Sequence, residues 1–141
     1  RKRLFLGTQI GAFALLPSAS QKPFIVTGVD ECKSKLAISQ ETPDVSELFI
    51  VCEVAHPGRA TAMAASDGII VTGSAGGNVS FFNAKDMDGT PCLTQHEGSS
   101  FRASSSSTRS SSPIIRVQIN ASDGLGASLS ECGVLCVFDL E

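Results

Sequence analysis

Two histidines, His56 and His96, are the residues of this chain best suited to acid–base chemistry. A Ser–His–Asp triad would need one of them between an activated serine and an orienting acid such as Asp67 or Asp123. Both aspartates precede a glycine, a pair typical of turns, and the sequence contains no Gly-x-Ser-x-Gly nucleophile motif. The sequence therefore predicts no catalytic residue and no enzyme activity.

The same residue types predict no metal or cofactor site. Cys132 and Cys136 lie four residues apart without the second ligand pair that a zinc site uses. The Gly-rich stretch 73–78 lacks the lysine of a phosphate-binding loop. The five cysteines have no regular spacing, so we expect free thiols in an intracellular protein, in the cytoplasm or nucleus, rather than a disulfide framework.

Composition narrows the range of partners. The net charge is −3, with no basic excess for nucleic acid, and the chain has eight Phe but neither Trp nor Tyr. No apolar run is long enough to cross a bilayer. We expect protein partners, with no nucleic acid, membrane or small-molecule substrate. A chain rich in small residues, Gly and Ser suits strands and turns, which predicts an all-β fold.

Residues 1–20 allow an alternative interpretation. Basic residues 1–3 precede an apolar run, 4–16, and small residues come after it, which is the order of parts in a secretory signal peptide. On that hypothesis the chain is a secreted or surface β-sandwich domain.

An internal repeat accounts for more of the sequence. Segment 67–83 lies without a gap on segment 123–139, at a shift of 56 residues. The matched pairs are Gly68 with Gly124, Ser74 with Ser130, Gly77 with Gly133, and Phe82-Asn83 with Phe138-Asp139. Each copy predicts a strand, a tight turn and an antiparallel return strand, with Gly76-Gly77 as a two-residue turn in the first copy.

Two weaker copies lie nearer the amino terminus. Segment 4–16 aligns with 70–82, placing Gly7 on Gly73 and Gly11 on Gly77. The other copy is a strand over 24–28 followed by one over 36–38. A single hairpin cannot bury its faces, so several must stack.

The spacing of 56 contains a low-complexity stretch. His56 lies 11 residues before Asp67, whereas His96 lies 27 before Asp123, a difference of 16. We interpret residues 97–112, which are rich in serine, as a disordered surface insertion. Removing it leaves 56 − 16 = 40 residues, close to the period of roughly 40–45 of WD-type propeller blades.

These residues resemble a WD repeat. Gly73-Ser74 and Leu129-Ser130 correspond to its small-residue motif, Phe82-Asn83 and Phe138-Asp139 to its closing Trp-Asp, and His56 and His96 to its leading histidine. Gly76 and Cys132 stand where the family has a turn aspartate. The resemblance implies a β-propeller that acts as a non-catalytic protein–protein interaction scaffold.

Length limits how much of a propeller is present. The 141 residues minus the insertion correspond to about three blades, and a closed ring needs roughly four to eight. We expect residues 1–141 to form a partial propeller, completed by other blades or by a partner. The order of segments is similar to that of WD-repeat nucleoporins of the Y-shaped nuclear-pore scaffold, which implies a place in a large assembly such as the nuclear pore.

The Ser-rich insertion offers a regulatory site. Ser112 precedes Pro113, a sequence that proline-directed kinases modify. A phosphate there would add about −1.5 to −2 charges. We predict Ser112 as a phosphorylation site.

Overall fold

The computed structural model describes residues 10–16, 24–29, 35–41, 48–87, 90–103 and 112–140. Regular structure in these ranges is entirely β, and no helix among them could span a membrane. The strands are β1 (Ile10–Leu16), β2 (Phe24–Val29), β3 (Lys35–Glu41), β4 (Leu48–Ala55), β5 (Ala60–Ser66), β6 (Ile69–Ser74), β7 (Asn78–Met87), β8 (Thr90–Arg102), β9 (Ile114–Asn120), β10 (Leu125–Ser130) and β11 (Leu135–Asp139).

The strands form three antiparallel sheets in chain order. We call β1–β4 blade 1, β5–β8 blade 2 and β9–β11 blade 3. The first strands of the blades, β1, β5 and β9, lie side by side, and blade 2 lies between the other two. This is the arrangement of a β-propeller with three blades and an open ring in the described part of the chain. The predicted fold class is confirmed.

Short turns set the hairpins. Asp67 and Gly68 have φ angles of 49° and 77° and join β5 to β6 in a two-residue turn. Positive φ at both residues belongs to the type I′ turn, whose twist matches that of paired strands. The next turn, Ala75–Gly77, has three residues, and only Gly77 has a positive φ, 82°. The prediction of a two-residue Gly76-Gly77 turn was therefore wrong by one residue.

The core consists of two layers, each between neighbouring blades. The first joins blades 1 and 2, and the second joins blades 2 and 3. The buried members of the first layer are Leu36, Ile38, Ile70, Phe82 and Leu93, and those of the second are Ala62, Val71, Val79, Ala103, Ile114 and Val117. Full burial of a Leu, Ile or Phe side chain contributes roughly 1.5–3 kcal/mol. Stacking of blades therefore supplies the hydrophobic stabilisation.

The same contact occurs at both junctions. A Cβ on Gly28 would lie 2.5 Å from the Cβ of Ala60, the first residue of β5. A Cβ on Gly73 would lie 2.5 Å from the Cβ of Ile114, the first residue of β9. A glycine near the end of the second strand thus lets the next blade approach closely.

Two predicted segments differ from the structure. Gly11, aligned with the turn glycine Gly77, lies within β1, where a Cβ would overlap the carbonyl oxygen of Ala60. Residues 10–16 form one strand that pairs with 24–29, so the turn predicted at Gly11 was wrong. Residues 4–9, including Gly7 and the first strand of the predicted hairpin, lie outside the described part. The match to 70–82 rested on residue types in a short apolar run, which fit a strand as well as a hairpin.

The Ser-rich stretch begins later than predicted. β8 continues to Arg102 and pairs with β7, so residues 97–102 are strand rather than insertion. A shift in the β7–β8 register between Ser80 and Phe82 accommodates them. Residues 104–111 lie outside the described part of the chain.

Candidate functional site

His56 lies between β4 and β5, at the start of blade 2, and is 6% exposed. Its Nδ1 is 2.6 Å from the carbonyl oxygen of Gly58, and its Nε2 is 2.7 Å from Oγ1 of Thr72. A carbonyl can only accept, so Nδ1 carries a hydrogen. In the neutral ring Nε2 is then the acceptor, and the Thr72 hydroxyl donates to it.

The surroundings of His56 favour the neutral form. The ring stacks on Phe82, with centroids 5.6 Å apart and 21° between the planes. Burial lowers the pKa of His56 below its usual 6.5, opposed by the bond to the Gly58 carbonyl. Both ring nitrogens are occupied, and Thr72 is fully buried. The arrangement ties the segment before β5 to β6 and β7 and leaves neither group free to attack a substrate.

The sequence patterns did not point to Thr72. It lies on β6, two residues before Ser74, and its hydroxyl completes the contact between His56 and blade 2. The sequence feature that could have identified Thr72 is a hydroxyl residue next to the apolar residues of a strand. Such a residue, when buried, needs a hydrogen-bond partner.

The repeat is present in the hydrogen bonds of blades 2 and 3. The Asn78 amide donates to Ser74 Oγ at 3.1 Å, and the Val134 amide donates to Ser130 Oγ at 3.0 Å, 56 residues later. Gly77 and Gly133 donate to the carbonyls of the same two serines, at 3.1 and 3.0 Å. Gly133, like Gly77, has a positive φ, 88°. Each serine therefore closes the turn at the end of its strand.

Blade 3 lacks the histidine contact. Ser128 occupies in β10 the place of Thr72 in β6, is 1% exposed, and its Oγ has no hydrogen-bond partner among the residues that the structure describes. His96, predicted as the leading residue of this blade, lies within β8, and β9 begins only at Ile114. The structure therefore does not place His96 where that prediction did. The cause is the extension of β8 through residues that the sequence assigned to a loop.

The closing aromatic residues face the preceding blade. Phe82 is fully buried in the layer between blades 1 and 2, where it meets His56. Phe138 lies in the layer between blades 2 and 3 and packs edge-on against Phe81 and Phe101, with centroids 5.5 and 5.4 Å apart. Asp139 is exposed. Both phenylalanines therefore join blades, through different contacts.

No group of three or more metal-ligating side chains occurs among the residues that the structure describes. In the same ranges Cys92, Cys132 and Cys136 are thiols outside any disulfide. Cys132 is exposed in the turn after β10, and side-chain hydrogen bonds with Ser130 and then Ser112 lower the pKa of its thiol. The described chain thus offers hydroxyl and thiol groups at this turn but no ligand cluster.

Apolar side chains are exposed on the two end blades. On blade 1, Phe13 is 67% exposed, with Leu15 beside it along β1. On blade 3, Leu135 and Val137 are 66% and 64% exposed and lie on the face turned away from blade 2, together with Leu125. Blade 2 exposes no large apolar side chain among its described residues. We call the set Leu125, Leu135 and Val137 the outer face of blade 3.

Comparison with known proteins gives a fold relation. No protein-family model and no curated protein sequence matches the chain. Among solved structures, a chain of the COPII outer coat vertex on membranes is similar, with a TM-score of 0.71, 17% identity, and coverage of 94% of this chain and 34% of that chain. A chain of the COPII coat assembled on membranes gives the same score and identity, with 94% and 19% covered. This chain spans about a third of one coat chain and about a fifth of the other, and what it shares with them is the β-propeller fold.

Proposed function

We propose that this chain is part of a non-catalytic protein–protein interaction scaffold built on degenerate WD-type repeats, within a larger assembly. The proposal rests on one observation. The two end blades expose apolar side chains, whereas the middle blade packs against a neighbouring blade on each side. Contiguous exposed apolar surface marks sites of association. The partners of these surfaces are other proteins or further propeller blades.

Local structure supports the WD-type assignment. His56 before the first strand of blade 2, Thr72 on the second strand and Phe82 on the third form one contact. His56 and Phe82 stand at the positions of the leading histidine and the closing aromatic residue of the repeat, and Thr72 adds a hydrogen bond to the histidine. The same contact supports the non-catalytic assignment, because it occupies both nitrogens of His56.

The assembly itself is proposed at a coarser level. The two similar solved structures belong to a coat assembled on membranes, which supports a scaffold role in a large complex. The nuclear pore, and a location in the cytoplasm or nucleus, remain predictions from the sequence. Imaging of the tagged natural protein would test the location, and an exclusively extracellular signal would contradict it.

The secreted-domain alternative has less support. Residues 10–16, the larger part of the apolar run in the signal-peptide hypothesis, pair with β2 and pack beside β5. A cleaved signal could not supply the first strand of blade 1. We therefore favour the scaffold.

Site-specific photo-crosslinking tests the scaffold in its cellular setting. A photoreactive amino acid replaces Val137 on the outer face of blade 3, and Thr94, exposed on the middle blade, is the matched control position. We expect protein crosslinks from position 137 at several times the control yield, on defined residues of one partner or of a further blade. Equal yields at the two positions would contradict the proposal.

A further inference from the structure

The segment that leads into blade 3 is held differently from the one that leads into blade 2. The Ala75 amide donates to the Arg59 carbonyl at 2.9 Å, and the Glu131 amide donates to the Pro113 carbonyl at 2.8 Å. Pro113 is thus the counterpart of Arg59, and Ser112 is the counterpart of Gly58. Blade 2 adds the bond between His56 and the Gly58 carbonyl. In blade 3 the residue at the position of Gly58 is Ser112, which has a side chain that can form hydrogen bonds.

Ser112 forms the second attachment in blade 3. Its Oγ accepts a hydrogen bond from the Cys132 amide at 3.0 Å, and its hydroxyl also contacts the Cys132 thiol. Residues 112 and 113 therefore bind the amides of two successive residues in the turn between β10 and β11. Ser128, the counterpart of Thr72, has no hydrogen-bond partner among the described residues. Blade 3 therefore has no contact like that of His56 with Thr72 to support this attachment.

Ile114 directly follows the two attached residues. Ile114 lies two residues after Ser112, is fully buried, and packs against Gly73 of blade 2. Its carbonyl also accepts a hydrogen bond from Thr61 at 2.5 Å. Residues 112 and 113 therefore adjoin a residue that packs at the junction of blades 2 and 3.

We propose that Ser112 is a phosphorylation site whose modification detaches residues 112–113 from the turn of blade 3 and loosens the junction with blade 2. The inference concerns the fold and does not rest on the scaffold role. A proline-directed kinase would supply the reaction: Ser112 Oγ bonds to the γ-phosphorus of ATP, the bond to the β-phosphate oxygen breaks, the hydroxyl proton passes to the kinase, and ADP leaves.

The charges favour detachment. The partly buried Ser112 side chain lies against the turn between β10 and β11. A phosphate group is larger than the hydroxyl that it would replace, and it adds about −1.5 to −2 charges. The adjacent turn contributes the Glu131 carboxylate, a like charge. Only one turn amide, that of Cys132, points at Ser112, because the Gly133 amide is already bonded to the Ser130 carbonyl.

Hydrogen exchange on the full 141-residue chain tests this. The chain is incubated with a proline-directed kinase and ATP, and exchange is measured at the amides of Glu131 and Cys132. Loss of one hydrogen bond predicts exchange roughly 2- to 12-fold faster at Cys132. Phosphorylation is expected to speed exchange at both amides, because Pro113 leaves with Ser112.

Two variants separate the causes. Ser112→Ala removes the acceptor without adding charge, so only the Cys132 amide should exchange faster while Glu131 keeps its bond to Pro113. Thr94→Glu adds a charge to an exposed residue of blade 2 and should change neither amide. Circular dichroism confirms that each variant is folded.

Two results would overturn the proposal. One is phosphorylation at Ser112 with unchanged or slower exchange at Glu131 and Cys132. The other is modification of a free peptide spanning residues 105–120 but not of Ser112 in the folded chain, which would show that the site is closed to a kinase.

Discussion

At the scale of single residues, His56 has a structural role, although histidine is a residue type suited to base catalysis. His56 donates to a backbone carbonyl, accepts from Thr72 and stacks on Phe82. A buried polar group is stabilising only when its hydrogen bonds are made. Blade 3 shows the opposite case, since Ser128 is buried with no partner. The two blades therefore differ in whether the buried hydroxyl of the second strand has a hydrogen-bond partner among the described residues.

Thr72→Val should destabilise the chain. Valine has nearly the same shape but cannot donate to Nε2 of His56, which leaves a buried acceptor unpaired at a cost of about 1–3 kcal/mol. Urea unfolding monitored by circular dichroism measures the change. Ser128→Ala is the matched control and should be neutral or stabilising, because it removes a buried hydroxyl that has no partner to lose among the described residues. A larger loss from Ser128→Ala than from Thr72→Val would contradict this account.

The stability of the chain should depend on pH through His56. Its pKa is lowered in the folded state, so the unfolded chain binds more protons as the pH falls below about 6.5. The free energy of unfolding is therefore expected to be greatest above that pH and to decrease on acidification. Comparing unfolding curves at pH 7.5 and pH 5.5 tests this. His56→Gln should weaken the dependence, and an unchanged slope would show that another group is responsible.

At the scale of strands and turns, the repeat operates through small residues. Ser74 and Ser130 close equivalent turns, while Gly28 and Gly73 admit the first residue of the following blade. All three blades also have the same irregularity in register near the start of their first strand. Blade 3 has Leu129 where the earlier blades have glycine. On blade 3 the position that corresponds to Gly73 faces outward and therefore holds an apolar side chain, that of Leu129.

Gly73→Ala should weaken the junction of blades 2 and 3. The added methyl group would overlap Ile114, and overpacking typically costs about 1–3 kcal/mol. Gly76→Ala is the matched control, since a Cβ there would approach nothing closer than 3.8 Å. The double variant Gly73→Ala/Ile114→Ala should show a favourable coupling energy in thermal unfolding. If the effects of the two single changes on stability were simply additive, the contact between residues 73 and 114 would not limit how closely the blades pack.

At the scale of the whole molecule, three stacked blades leave two outer sheet faces. Blade 2 contributes side chains to both core layers, whereas blades 1 and 3 each contribute to one. The exposed Phe13 and Leu15 on one end blade and Leu135 and Val137 on the other result from this geometry. A propeller ring closes with roughly four to eight blades, so these faces are where further blades or partners would pack.

Charge on the outer face of blade 3 should reduce self-association. Leu135→Asp and Val137→Asp replace side chains that are about two-thirds exposed, so the fold should be retained. Light scattering at increasing concentration is expected to show less association than for the unmodified chain, with the same circular dichroism spectrum. Thr94→Asp, which adds equal charge to the middle blade, should have a smaller effect. Equal suppression by Thr94→Asp would indicate a general effect of net charge.

The sequence alone determined the local units of this protein. Turn glycines, alternating apolar residues and the shift of 56 predict antiparallel hairpins, and these depend on contacts within a few residues. Blade number and the all-β class follow from that pattern and from length. The short run 4–16 predicted a turn at Gly11 where the structure has a strand, because the run contains too few residues to distinguish one strand from two.

Only the tertiary structure decided which residues meet between strands and blades. The partner of His56, the strand position of His96, the unpaired Ser128 and the packing of Ile114 on Gly73 all depend on register and blade stacking. A change of register by one residue turns each side chain of a strand to the other face. Sequence patterns specify hairpins through local geometry, whereas contacts between blades are selected by the burial that stacking provides.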